Sequence, residues 1–145
     1  MRYYLDVEMN GFGGPLISMA LVPEDEGLPA FYEALDCPDP TPWVAEHVIP
    51  VLGIAPISRA EFAGKLERYL HDVEWPVLVA DWPEDIARAA EAMIVAPGRR
   101  IAVRQVRFEL CDPPAFDAAV ASAVPHNAYH DAVALRRHML DRGCD

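Results

Sequence analysis

Three places in the sequence hold side chains whose types and spacing suit one kind of chemistry. Near the start, Asp6 and Glu8 stand two residues apart in YYLDVEM. On a strand they share one face, and two residues of strand span roughly 6.5–7 Å, so both carboxylates reach a common ion. Midway, VADWPED carries Asp81 and Asp85, and PHNAYHD near the end carries His126 and Asp131. Hard cations such as Mg²⁺ and Mn²⁺ take oxygen ligands, which four carboxylates and a phosphate supply. Two such ions about 3.5–4 Å apart promote attack of water on a phosphodiester. A histidine, with an ordinary pKa near 6.5, suits the removal of that water's proton.

Each of these residues also has an ordinary structural job. A strand face of carboxylates is what a solvated surface looks like, and Asp-Val-Glu recurs as Asp72–Glu74 between a helix pattern and Pro76. Asp81, followed by Pro83 and Glu84, fits an N-cap with a capping-box glutamate. Asp85 on the first turn fits a favourable charge–dipole contact. Asp131 is different. Ala128, Ala132, Leu135 and Met139 form an apolar stripe, and Asp131 leans in from its edge. A carboxylate there is costly unless paired or bound to a metal. Of the five histidines, only His126 is followed by Asp five residues on.

The elements that must position these groups are readable from periodicity and punctuation. RYYLDVE alternates as a strand, NGFGG supplies turn chemistry, and PLISMALVPE completes a hairpin. LPAFYEAL reads as a third strand. WVAEHVIPVLG reads as a short helix that Pro50 ends. SRAEFAGKLERYLHDV has a Ser58–Glu61 capping box and apolar residues at helical spacing. WPVLVADWPEDIARAAEAM has the form strand, turn, helix. RRIAVRQVRFEL reads as one more strand, with PPAFDAAVASAV and NAYHDAVALRRHMLDR as helices. Three strands followed by alternating strands and helices predict a single α/β domain with a mixed sheet.

Composition narrows the partners. The chain has 145 residues, 52% of them hydrophobic and 24% charged, which is globular. A net charge of −11 argues against coating a long duplex, which takes many Lys and Arg side chains. It leaves room for a short, metal-mediated contact. Arg99, Arg100, Arg104 and Arg107 are candidates to guide a strand, although alternation sends Arg104 and Arg107 to opposite faces. Cys37, Cys111 and Cys144 are odd in number and form no CxxC pair, so neither a disulfide framework nor a zinc ribbon is indicated. No apolar run approaches the roughly 20 residues of a membrane span, and no secretory signal is evident. A cytoplasmic protein with no membrane partner is expected.

The order of motifs is Asp-x-Glu on a first strand, Asp at a mid-chain helix start, and His-x-x-x-x-Asp opening the last helix. In that order the chain resembles the DEDDh group of 3′-to-5′ exonucleases, which have an RNase H-like fold. It is most similar to the compact bacterial stand-alone exoribonucleases of mycobacterial type, which share the opening strand, acidic pair, turn and an LIS strand, here Leu16, Ile17 and Ser18. The resemblance covers nearly the whole chain. It implies an RNase H-like mixed sheet flanked by helices, two Mg²⁺ or Mn²⁺ ions held by Asp6, Glu8, Asp85 and Asp131, and His126 as general base. It implies single-stranded RNA as substrate, nucleoside 5′-monophosphates as products, and a homodimer. Met9 and Asn10, beside the acidic pair, are candidate contacts for the terminal nucleotide.

Two departures stand out. Where many relatives have Asn-x-x-x-Asp with an aromatic before the Asp, this chain has Asp81 and Glu84, which leaves Asp81 as an alternative ligand to Asp85. Asn127 stands where the tyrosine subgroup has its Tyr, so the histidine version is the better match. The alternatives are an exonuclease on the same fold directed to DNA or short oligonucleotides, acceptance of 3′ overhangs, and a non-catalytic nucleic-acid-binding domain.

Overall fold

In the computed structural model, which describes residues 1–141, the chain opens with β1 (Arg2–Met9), β2 (Leu16–Pro23) and β3 (Phe31–Ala34). Then follow α1 (Pro42–His47), a 3-10 turn (Ile49–Val51) and α2 (Arg59–Leu70). Next come β4 (Val77–Ala80), α3 (Pro83–Ala92), β5 (Ile94–Ala96), β6 (Arg99–Arg100) and β7 (Arg107–Leu110). The chain ends with α4 (Ala118–Ala121) and α5 (Ala128–Asp141). Cys144 and the last residue of the helix pattern, Arg142, lie outside the described residues.

Five strands form one mixed sheet in the order β3-β2-β1-β4-β7. β1 runs antiparallel to β2, with Asp6 opposite Ala20 and Glu8 opposite Ser18, and parallel to β4. β7 adds parallel to β4. The strand that carries the acidic pair is therefore central, paired on both sides.

Alternation along β1 divides the core. Tyr3, Leu5 and Val7 pack with Phe62, Leu66 and Leu70 of α2 and with Ala89 and Ala92 of α3. Tyr4 faces the other way, against Val79, Leu135 and Met139, while Ala20 and Val22 of β2 meet Ala128 and Ala132 of α5. Each large side chain sealed this way, Leu5 and Leu66 among them, contributes roughly 1.5–3 kcal/mol. A five-stranded mixed sheet with helices on both faces has the form expected of an RNase H-like α/β fold. Asp6 and Glu8, on the Tyr4 side, are thereby directed toward α5.

The helix starts follow the sequence where capping chemistry is strong. Ser58 Oγ accepts from the Glu61 N–H at 3.1 Å, and Pro50 ends the helical run after α1 within a 3-10 turn. Two expectations fail. RRIAVRQVRFEL is not one strand: only its ends pair, Arg99–Arg100 with β5 and Arg107–Leu110 with β4. Between them Ile101 and Val103 turn into the core, and the Ala102 N–H is taken by Glu67 at 2.7 Å. PPAFDAAVASAV yields only the four residues of α4, which bury nothing. With none of its residues buried, a helix here gains little from packing to extend it. No helix of the described residues is long and apolar enough to cross a membrane.

Candidate metal centre

Three elements bring their acidic residues to one end of the sheet. β1 presents Asp6 and Glu8 from one face near its carboxyl end. β4 ends at Ala80, so Asp81 stands in the turn that follows and Asp85 in the first turn of α3. Asp131 occupies the first turn of α5 and is buried there with Asn127 beneath it.

The carboxylates form two groups that share one member. Oxygens from Asp6, Asp81 and Asp85 lie within 4.8 Å of one another, and so do oxygens from Asp6, Glu8 and Asp131. Asp81 is thus not the helix cap its sequence suggests. The N-cap position of α3 falls on Trp82, which makes no side-chain cap, because the turn after β4 is one residue longer than a cap at 81 allows. Both Asp81 and Asp85 stand beside Asp6, so the geometry admits either as a ligand.

The electrostatics of this arrangement are unfavourable without a cation. Burial, followed by the charges of Asp85, Glu8, Asp131 and Asp81, holds the Asp6 carboxyl well above the usual carboxylate range. Burial, then Asp131, pushes Glu8 up to about 8. Burial, then Asp81, Glu8 and Glu84, pushes Asp85 up to about 8. Asp81 and Asp131 are raised as well, mainly by burial. Asp6 Oδ2 and Asp131 Oδ1 are sealed from solvent and accept no hydrogen bond. Orphaned buried carboxylate oxygens are expensive, and divalent cations with a preference for oxygen satisfy such atoms. The donor set therefore fits Mg²⁺ or Mn²⁺, with Asp6, Glu8, Asp81, Asp85 and Asp131 as the residues that could hold them.

His126 lies beside this centre. Its backbone has φ 67, and its N–H donates to Asp131 Oδ2 at 3.1 Å. Its half-buried ring meets Trp43 edge-on with centroids 4.9 Å apart, and the His47 ring is 6.3 Å away. Trp43 and His47, four residues apart on α1, stack at 4.8 Å and 15°. Sequence reading passed over this pair, because a short helix with no acidic residue in its first turn gave no reason to prefer it.

The loop after β1 is stapled from two sides. Glu84, expected to complete a capping box, instead accepts from the Gly13 N–H at 2.9 Å and from Trp82 Nε1 at 3.2 Å. Arg88 donates to the Gly13 carbonyl at 3.2 Å. Gly14 has no room for a side chain, as a Cβ there would stand 2.0 Å from the Asn10 carbonyl oxygen. Asn10 uses both ends of its amide on the approach to α1, accepting from Thr41 N–H at 2.8 Å and donating to Asp39 O at 2.9 Å. Its side chain holds the loop, while Met9 packs half-buried against the core.

Compared with known proteins, the chain matches no family model and no curated protein. The grounds for a function are therefore the geometry just described and the ordered motifs that the geometry brings together.

Proposed function

We propose that the protein is a metal-dependent 3′-to-5′ exoribonuclease that releases nucleoside 5′-monophosphates from single-stranded RNA. The observation that carries this reading is Asp6, shared by two groups of acidic side chains, with oxygens there and on Asp131 left without partners. When bound, two divalent cations supply charge neutralisation at the scissile phosphate and a more acidic water. Asp6, Glu8, Asp81, Asp85 and Asp131 would hold them. The His126 ring, kept at the edge of the centre by Trp43, takes the proton of the attacking water at a ring nitrogen.

Exposed aromatic side chains ring the same end of the sheet. Trp43 is 50% exposed, Phe12 in the loop after β1 is 95% exposed, and Trp82 in the turn after β4 is 55% exposed. Flat aromatic faces stack on nucleobases without regard to sequence, which suits a terminal exonuclease. The 3′-to-5′ direction, the preference for RNA and a homodimer rest on the resemblance of the ordered motifs. A cytoplasmic setting is consistent with Cys37 and Cys111, which form no disulfide among the described residues. The net charge of −11 favours short substrates over long ones, and an oligonucleotide exonuclease on the same centre is the second reading.

The test is cleavage of a 5′-labelled single-stranded RNA in Mg²⁺ or Mn²⁺, with a DNA of the same sequence alongside. A ladder shortening from the 3′ end, abolished by EDTA and by Asp6→Asn, is the expected result. Shortening of DNA alone moves the assignment to a deoxyribonuclease. Folded wild-type protein that cleaves neither polymer would make it a binding domain.

A further inference from the structure

We infer that Asn127 is a positioning residue, which sets where the His126 ring stands by tying the start of α5 to the segment after α1. This inference rests on the proposed function for its catalytic meaning, but the anchoring it describes is visible in the fold. Asn127 is buried and its carboxamide is used completely. Nδ2 donates to the Val51 carbonyl at 2.8 Å and to the Tyr32 hydroxyl at 3.1 Å, with the Leu52 carbonyl at 3.4 Å. Oδ1 accepts from the Tyr129 and His130 N–H groups at 3.1 and 3.2 Å, and the Asn127 carbonyl accepts from the Asp131 N–H at 2.9 Å. One side chain thus caps α5 and fastens it to residues 51 and 52.

The consequence falls on the residue before it. His126 is held with φ 67, in the left-handed region that a residue with a side chain rarely adopts. Strain of that kind persists only where the surroundings over-determine it. Here the hold is double: Asp131 takes the His126 N–H on one side, and Asn127 fixes the next peptide on the other. The segment fastened by Asn127 also contains the wall on which the ring leans. Leu52 packs with Val44 and Val48, neighbours of Trp43 and His47 on the same stretch of chain. Tyr32 closes the junction from β3 by donating to the Leu52 carbonyl at 2.7 Å while accepting from Asn127. Without the Asn127 amide, residue 126 is free to relax to negative φ and carry its ring away from Trp43 and from the acidic centre.

The test combines kinetics with a spectroscopic readout. In RNA cleavage, Asn127→Ala should lower kcat by about 10–100-fold with KM within a few-fold of wild type, the range of losses when an orienting partner is removed. Introduced into a His126→Ala background, it should cost nothing further, because residues that act as a unit are non-additive. The His126 ring protons, at the edge of Trp43, should show a ring-current shift in NMR spectra of the folded wild type that Asn127→Ala abolishes. Tyr32→Phe should reduce both effects part-way, and it carries the test if Asn127→Ala does not fold. A ring-current shift retained in the variants, or an undiminished loss of activity in the His126→Ala background, overturns the inference. If wild-type protein cleaves no RNA, the proposed function has failed. The NMR comparison then still decides the positioning role: loss of the shift upholds it, and retention overturns it.

Discussion

The tripeptide Asp-Val-Glu occurs twice, and its two copies show what position does to identical chemistry. Asp6 and Glu8 lie on a central strand with β2 on one side and β4 on the other. Asp72 and Glu74 lie in the exposed turn between α2 and β4, where the Asp72 side chain is 98% exposed. In the first copy, burial and neighbouring carboxylates lift the acids far from their usual range. In the second, water solvates the charges, and among the described residues no third carboxylate groups with them. Two carboxylates two residues apart therefore carry no function by themselves. They become a group that could hold a metal ion where the sheet limits water and adjacent elements add Asp81, Asp85 and Asp131.

The comparison breaks most visibly in activity. Asp6→Asn should lower RNA cleavage by on the order of a hundredfold or more, since it removes the member common to both acidic groups. Asp72→Asn should leave the rate within twofold of wild type. Equal losses in a steady-state assay would erase the distinction.

Next in size is the response of stability to divalent cations. A cation that binds only the folded chain stabilises it by about 2.7 kcal/mol at a hundred times its dissociation constant. For a domain of this size that is a rise of several °C in Tm. Differential scanning calorimetry should show that rise for wild type and Asp72→Asn and not for Asp6→Asn. In the absence of metal the order should invert. Asp6→Asn removes a charge that Asp85, Glu8, Asp131 and Asp81 repel, so its metal-free Tm should exceed that of wild type by about 3 °C.

The same carboxyls set a pH dependence. Glu8 and Asp85, raised to about 8, keep in the folded protein protons that the unfolded chain releases above roughly pH 4–4.5. The folded state therefore binds more protons, and metal-free stability should fall as pH rises from about 4 until both groups have ionised past about 8. Denaturant unfolding in EDTA across that range checks the sign. Stability rising with pH would contradict the assigned burial.

The smallest effect lies away from the centre. Ser58→Ala removes the hydroxyl that accepts from Glu61 N–H and should cost about 1 kcal/mol of stability with no change in cleavage. A loss of activity there would mean that α2 contributes more than packing.

Much of this fold was legible because local chemistry and global packing agree. The alternation of β1, the capping of α2 and the buried stripe of α5 all predicted the elements observed. Asp131 was legible as an inward-leaning acid from its place beside that stripe. Asp81 was legible only as an alternative to Asp85, because cap, proline and glutamate at the right spacing describe a common helix start, whereas the N-cap of α3 falls on Trp82 and Asp81 stands beside Asp6. The Trp43–His47–His126 contact joins residues some eighty positions apart through a fold of the chain that no local pattern encodes. The segment around Ile101 and Val103 misled for a related reason. Its alternation is genuine, but its apolar residues join the core and its N–H groups go to Met93 O, Glu67 and Ile101 O rather than to another strand.

The most direct measurement is a Mn²⁺ titration followed by electron paramagnetic resonance, on wild type, Asp6→Asn and Asp72→Asn. The account predicts tight binding of Mn²⁺ by wild type and Asp72→Asn, with strong loss in Asp6→Asn. Equal binding by all three, or none by the wild type, would contradict the claim that the carboxyl end of β1 is a metal centre.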